Sequence, residues 1–301
     1  MLYHKPEKTM FEVQKGVSPN VLKVKLDCKK SKEHWFLLRS DAHHDNPHAS
    51  WDLEKKHLDE ALERDAGILD CGDLFCAMQG KFDKRSNKST LRPEHQNGEY
   101  FDALVKTAAD FYQPYAKNWI SFGLGNHETS ILSRHETNLT ERLAQTLRDR
   151  TGAPCFVTGY TGWIRFQFQL GSSTMTARTL WHMHGYGGGG PVTADNIQAQ
   201  RQNAYIEGAD IMWSGHVHER WAREFIKVGI DQEGEVKHRS SWYIKSPTYK
   251  DEYGTGSGGW HIETGKPPKP LGAWWLKMTF SRRSVSKVTR SDVVIEVIPA
   301  S

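Results

Sequence analysis

The 301-residue sequence predicts an α/β fold, with a mainly parallel sheet built from its first half and a β-rich C-terminal part. Three observations carry this. Short apolar runs alternate with stretches of helical spacing as far as Leu147. From Trp163 onward, strand-like alternation takes over. Five short pieces rich in Asp, Asn and His each follow an apolar run, and the ends of parallel strands are where such sheets gather functional side chains.

Residues 35–40 (WFLLRS) read as a strand that delivers Asp41. Leu53, Leu58, Ala61 and Leu62 recur at roughly helical spacing. Residues 68–71 form the next strand, leading to Asp73. Phe101, Leu104, Val105, Ala108 and Tyr112 mark an amphipathic helix, and residues 119–124 a third strand ending at Asn126. Asn138 and Glu141 supply the start signal of a helix whose inner face is Leu139, Leu143 and Leu147. Residues 163–170 alternate like a half-buried strand, and 176–183 form another that ends at His184. A helix is expected around 194–206, then a strand at 211–214 before Gly215. Further strands are expected at 242–245, 273–280 and 293–298, and the Gly- and Pro-rich stretch 253–270 as a long loop. No internal repeat divides the chain, so residues 1–301 read as one domain, with the motifs in 35–220 and the β-rich part in 221–301.

Composition excludes several classes. No apolar run is long enough to span a bilayer, so no membrane association is expected. The polar start from Met1 to Thr9 lacks the apolar core of a signal peptide. Cys28, Cys71, Cys76 and Cys155 contain no CxxC pair and read as free thiols of a cytoplasmic protein. The net charge of +4 is mild. Its placement is more telling: Lys81, Lys84, Arg85, Lys88 and Arg92 face one acid, Asp83, in a polar loop after Asp73. The sequence sets no oligomeric state.

The five pieces are Asp41-Ala42-His43, Gly72-Asp73, Gly125-Asn126-His127-Glu128, His184-Gly185 and Gly215-His216-Val217-His218. Singly, Asp-x-His and Gly-Asp are common turn sequences. As an ordered set at strand ends they read as a two-metal centre. Asp73 can bridge two cations with its two oxygens, Asp41, His43 and His218 can complete one, and Asn126, His184 and His216 the other. Mixed imidazole and carboxylate ligands suit two divalent ions, manganese first, with iron, zinc or nickel as alternatives. Such a pair stabilises an in-line displacement at phosphorus. His182 competes with His184, because residues two apart on a strand share a face.

In order and content the set resembles the calcineurin-like metallophosphoesterase superfamily, over residues 35–220 and in all five blocks. The resemblance implies a four-layer α/β/β/α sandwich with a dinuclear site at the C-terminal sheet edges. It makes Asp41, His43, Asp73, Asn126, His184, His216 and His218 metal ligands, prefers His184 to His182, and leaves His127 to protonate the leaving oxygen. Glu128 is left a structural role. The serine/threonine phosphatases of the superfamily continue Gly-Asp-x-x-Asp-Arg, whereas this chain has Cys76 and Ala77 at those last two positions. The double-strand-break repair nucleases read Gly-Asp-Leu-Phe-His, and Gly72-Asp73-Leu74-Phe75 matches up to Cys76. The implied function is phosphoester hydrolysis by a metal-bridged hydroxide, as a phosphodiesterase or nuclease, with nucleic acid among the substrates considered. A phosphomonoesterase acting on a small molecule or nucleotide is one alternative, and a non-catalytic metal-binding scaffold another. Lys84, Arg85 and Tyr186 are the candidate substrate contacts, Gly187 to Gly190 either a phosphate cradle or a connector, and Trp242, Trp260, Trp274 and Trp275 packing before base stacking.

Overall fold

The computed structural model describes residues 9–77, 91–188, 190, 192–230, 233–254, 260–285 and 288–301. Its elements run in the order β1 (Phe11–Lys15), β2 (Val21–Asp27), β3 (Glu33–Arg39), α1 (Trp51–Glu63), β4 (Gly67–Asp70), α2 (Tyr100–Tyr112), β5 (Trp119–Gly123), α3 (Asn126–His135), α4 (Leu139–Thr151), β6 (Phe156–Gly159), β7 (Thr161–Leu170), β8 (Ser173–Met183), α5 (Asn196–Tyr205), β9 (Ile211–Ser214), β10 (Trp221–Ile230), β11 (Val236–Lys245), α6 (Trp260–Glu263), β12 (Ala273–Val285) and β13 (Val288–Ala300).

Two mixed sheets result. One has six strands in the order β13-β12-β3-β4-β5-β6, the other seven in the order β1-β2-β7-β8-β9-β11-β10. Within the first, β3 to β6 are parallel, so their C-terminal ends lie along one edge. β4 and β5 are buried along their whole length, which explains their unbroken apolar runs. The β-rich C-terminal part is shared, with β10 and β11 extending one sheet and β12 and β13 the other.

The sheets pack on each other through Leu22, Val24, Phe166 and Phe168 on one side and Phe36, Leu38, Leu276 and Met278 on the other. The Phe36 and Phe166 ring centroids are 4.5 Å apart. Burying each such side chain contributes about 1.5–3 kcal/mol. Leu58, Leu104, Ala108, Leu143 and Leu147 of α1, α2 and α4 cover the outer face of the six-stranded sheet. Ala199 of α5 packs on Trp181, Met212 and Tyr243 of the other sheet. Trp274 and Trp275 point to opposite sides of β12, into the inter-sheet and helix-side clusters respectively, so both are core.

The predicted helix starts hold where chemistry fixes them: Asn138 Oδ1 accepts the Glu141 N–H at 3.0 Å. Other expectations shift. Leu62 is 40% exposed, and Glu54 and His57 join Leu58 and Ala61 on the buried face of α1. β1, β2, β6 and β10 were not anticipated. β2 alternates half-buried with buried residues, and the far half of β10 is exposed, so neither presents a continuous apolar run. The loop expected at 253–270 contains the short helix α6. No helix among the described residues is long and apolar enough to cross a membrane. The cysteines are free and buried.

Candidate metal centre

All seven predicted ligands come together at the C-terminal ends of β3, β4, β5, β8 and β9. Backbone bonds fix the convergence. The Asp41 N–H donates to Gly72 O at 2.9 Å, His43 to Asp73 O at 3.0 Å, and Gly215 to His184 O at 2.9 Å. Asp41, His43, Asp73, His216 and His218 all have positive φ, between 45° and 74°. Left-handed backbone costs about 1–3 kcal/mol at a non-glycine residue and concentrates at functional sites.

Two glycines allow the close approach. A Cβ on Gly125 would stand 2.6 Å from Asp73 Cγ, and one on Gly215 2.8 Å from Ser40 Cβ, against Asp41. Gly215→Ala is therefore expected to weaken metal binding about 10–100-fold although it removes no ligand. Metal titration calorimetry checks this, and unchanged affinity would mean the Asp41 turn tolerates the displacement.

Each carboxylate has one oxygen occupied and one aimed inward. Asp41 Oδ2 accepts from Ser40 Oγ at 2.5 Å and from the His216 N–H at 2.9 Å. Its Oδ1 lies 3.2 Å from His218 Nε2 and 4.0 Å from His184 Nε2. Asp73 Oδ1 accepts the His127 N–H at 3.0 Å, leaving Oδ2 3.1 Å from His184 Nε2. His43 Nε2 faces His218 Nε2 at 3.4 Å, and His216 Nδ1 faces Asn126 Oδ1 at 2.9 Å. The residues form two triads that could each hold a cation, Asp41/His43/His218 and Asp73/His184/His216.

The donor set fits cations better than it fits itself. Ligand atoms on a cation with bonds of about 2.0–2.2 Å sit about 3–3.6 Å apart, and Asp73–His184 at 3.1 Å, Asp41–His218 at 3.2 Å and His43–His218 at 3.4 Å fall in that range. His184 Nδ1 donates to Cys71 O at 3.0 Å, which leaves Nε2 as the bare nitrogen between two carboxylates. His216 Nε2 donates to Gly187 O at 2.9 Å, so Nδ1 turns a lone pair toward Asn126 Oδ1. Asp41 Oδ1 and His184 Nε2 are buried without a hydrogen-bond partner, and orphaned polar atoms aimed at one point are what a cation satisfies.

Charge agrees. Burial alone would raise Asp73, but His184 and His127 hold it well below the usual carboxylate range. Burial would lower His184, yet Asp73 and Asp41 raise it to about 9. In the absence of metal the carboxylates thus draw a proton onto the buried imidazole. Burial, together with His127 and Lys250, holds His43 well below its ordinary value, and burial with His184 lowers His216, as neutral ligands require.

His127 sits beside the cluster, its Nε2 3.8 Å from Asp73 Oδ2. Its ring is fixed by a backbone group: His127 Nδ1 donates to the Cys76 carbonyl at 2.7 Å. That peptide is pinned by Asp45, whose carboxylate accepts the Cys76 N–H at 2.6 Å and the Ala77 N–H at 2.9 Å. The Cys76 thiol lies 3.2 Å from His43 Nδ1 and is pushed up to about 12 by burial, so it is a neutral neighbour. No motif in the sequence marks Asp45, which lies in the polar run from His43 to His48. Asp45→Ala is expected to lower turnover about 10–100-fold with metal content unchanged. Loss of metal instead would place Asp45 in the ligand framework.

Glu128 is structural, as anticipated. Its carboxylate accepts the N–H groups of Asp73 (3.1 Å), Phe75 (2.9 Å) and Gly125 (2.8 Å), tying the start of α3 to the Asp73 turn. Burial and Asp73 push it up to about 8. His182 bonds Thr158 Oγ1 at 2.9 Å and touches no ligand. Tyr186 is 40% exposed, with its hydroxyl donating to Gln198 of α5 at 2.9 Å. Gly187 turns its carbonyl toward His216 Nε2, and Gly189 of the same stretch lies outside the described residues. Lys84 and Arg85 lie outside the described residues; Arg92, from the same basic stretch, bonds the carbonyls of Asn46 and Ala49, both at 3.1 Å. Lys250, which no sequence signal marks, is ion-paired with Glu252, and its charge is felt at His43 and Cys76. It follows β11 in a segment without a motif.

No family model and no curated sequence matches the chain. Among solved structures it is similar to GAP50, the anchor in the inner membrane complex of Plasmodium, at 12% identity over 89% of this chain and 85% of that one, with a TM-score of 0.44. It is also similar to Vps29 of Chaetomium thermophilum, at 8% identity over 90% and 100% of the two chains, with a TM-score of 0.33. Both likenesses are distant.

Proposed function

We propose that the chain is a metal-dependent phosphoester hydrolase acting on phosphodiesters, built as a four-layer α/β/β/α sandwich of the calcineurin-like type. The observation that carries this is the pair of triads, Asp41/His43/His218 and Asp73/His184/His216, joined where His184 Nε2 lies 3.1 Å from Asp73 Oδ2 and 4.0 Å from Asp41 Oδ1, with His127 Nε2 3.8 Å from Asp73 Oδ2. Asn126, whose Oδ1 faces His216 Nδ1, completes the second triad.

Two divalent cations, manganese first and iron, zinc or nickel as alternatives, supply Lewis acidity toward phosphorus and acidify water there. The chain's own residues do the rest. With Nδ1–H committed to the Cys76 carbonyl, Nε2 is the His127 nitrogen left to face the site, and in the imidazolium form it passes its proton to the leaving oxygen. Asp41 and Asp73 stay ionised and hold charge in the site. Buried Ala77, standing where the protein phosphatases carry arginine, favours a diester over a phosphorylated protein side chain. Lys250, whose charge is felt at His43, is the candidate among the described residues to offset phosphate charge.

The test is hydrolysis of bis-p-nitrophenyl phosphate against p-nitrophenyl phosphate in added Mn²⁺. Faster diester turnover, abolished by chelator and restored by Mn²⁺, is the expected result. Preference for the monoester would move the assignment to a phosphomonoesterase. Metal binding without turnover of either would make the chain a scaffold.

A further inference from the structure

The end of the molecule opposite the ligand cluster carries a feature that hydrolysis does not use. β12 pairs with β3 from Trp274↔Leu38 to Thr279↔Glu33. β3 leads to Asp41 at its C-terminal end, so Thr279 stands roughly 20 Å from the ligands, at the other end of the sheet. Beyond Thr279, β12 and β13 continue as a two-stranded ribbon with the register Ser281↔Asp292, Arg282↔Ser291, Arg283↔Arg290 and Ser284↔Thr289.

Its chemistry is one-sided. Arg282, Arg283 and Arg290 are exposed and close no salt bridge among the described residues, while Glu235, paired first with Lys237, also feels the charge of Arg290. Arg283 and Arg290 are direct cross-strand partners. Like charges so placed destabilise a ladder, and an anion laid across them reverses the sign. Strand alternation puts Arg282, Ser284, Thr289 and Ser291 on the other face, an arginine with three hydroxyls. Phe280 N donates to Lys32 O at 2.8 Å, which sets the exposed Lys29, Lys30 and Lys32 of the β2–β3 turn against the root of the ribbon. Most nearby acids are already engaged: Asp292 with Arg178 at 2.8 Å, Glu33 with Lys277 at 3.1 Å, and Glu235 with Lys237 at 2.9 Å. Asp27 is left, and it accepts the Lys29 N–H.

We propose that this ribbon, with the Lys29–Lys32 turn, is a docking surface for the phosphate backbone of duplex nucleic acid, remote from the metal centre. A two-stranded ribbon fits a duplex major groove. Arginine forks grip phosphate in pairs, and hydroxyls add positioning bonds. Repeated anions at short spacing match a row of exposed cations better than a single small anion does. The inference rests on the ribbon's charge and register, not on the hydrolytic reading.

The test uses the full-length, metal-loaded chain and a labelled duplex of about two helical turns (~20 base pairs) with phosphorothioate linkages, read by fluorescence anisotropy. R282E/R283E/R290E is expected to weaken binding at least about tenfold and to flatten the slope of log affinity against log salt by about 2–3. R282Q/R283Q/R290Q, a milder change, should give an intermediate loss. Turnover of bis-p-nitrophenyl phosphate should be unchanged in both, which separates this inference from the hydrolytic one. Unchanged duplex affinity in both variants overturns the proposal. So does wild-type binding to polyglutamate or to phosphatidylserine vesicles as tight as to the duplex.

Discussion

His127→Ala is expected to lower kcat on a phosphodiester by about 10²–10⁴-fold while the chain keeps its full metal content. The geometry dictates both halves. His127 reaches the cluster from the first turn of α3, where its N–H holds Asp73 Oδ1 and its Nδ1 is fixed on the Cys76 carbonyl. Replacement by alanine keeps the backbone bond to Asp73, so the ligand set stays in place. What is lost is the ring that carries the proton. The effect should be largest for poor leaving groups and smallest for nitrophenolate, which departs without a proton. Comparing bis-p-nitrophenyl phosphate with an alkyl diester reads this difference. An equal loss on both, or loss of metal with the ring, would make His127 a ligand-framework residue and not an acid.

Arg39→Ala is expected to destabilise the fold by about 3–5 kcal/mol, read from urea midpoints. Arg39 is fully buried, with Nη2 2.7 Å from Glu54 Oε1 and Nε 3.1 Å from Asp70 Oδ2. Its guanidinium stands over the rings of Tyr112, Trp119 and Tyr249 at 5.2–5.5 Å. Removing it leaves a buried carboxylate without its cation. Burial alone would raise Glu54, but Arg39, His44 and Tyr112 bring it down to about 2. A carboxylate whose folded value is depressed contributes stability above its unfolded value, lost as pH falls. The Glu54 contribution should therefore fade between pH about 4.5 and about 2. Asp70 behaves oppositely, pushed up to about 7 by burial that Arg39 offsets only in part. In R39M/E54Q part of the loss should return, because both charges leave together. Additive losses in that cycle would show that the pair is not coupled.

The same network explains what the sequence hid. Glu54 and His57 lie on the buried face of α1, and no hydropathy pattern marks a polar residue as core. Arg39, the partner of Glu54, ends a strand that otherwise reads as purely apolar, and His57 bonds the Tyr249 hydroxyl. The ligand set was legible because coordination demands particular residue types, at strand ends, in chain order. His184 could be told from His182 only by the resemblance, and geometry now separates them: one faces Asp73, the other Thr158. The orienting group of His127 could not be read at all, since a carbonyl oxygen has no residue type. Asp45, which pins that carbonyl, sat among residues that all looked like turn formers. β10 escaped because its outer half is exposed and pairs by backbone alone.

The most direct measurement is metal stoichiometry by elemental analysis of the reconstituted chain and of Asp73→Ala, each paired with its diester turnover. Asp73 belongs to one of two adjoining triads that could each hold a cation, so the wild-type chain should hold about two ions. Asp73→Ala should hold at most about one and lose turnover by at least about 10³-fold, since an ion and its charge go together. Two ions and undiminished turnover in Asp73→Ala would contradict the account.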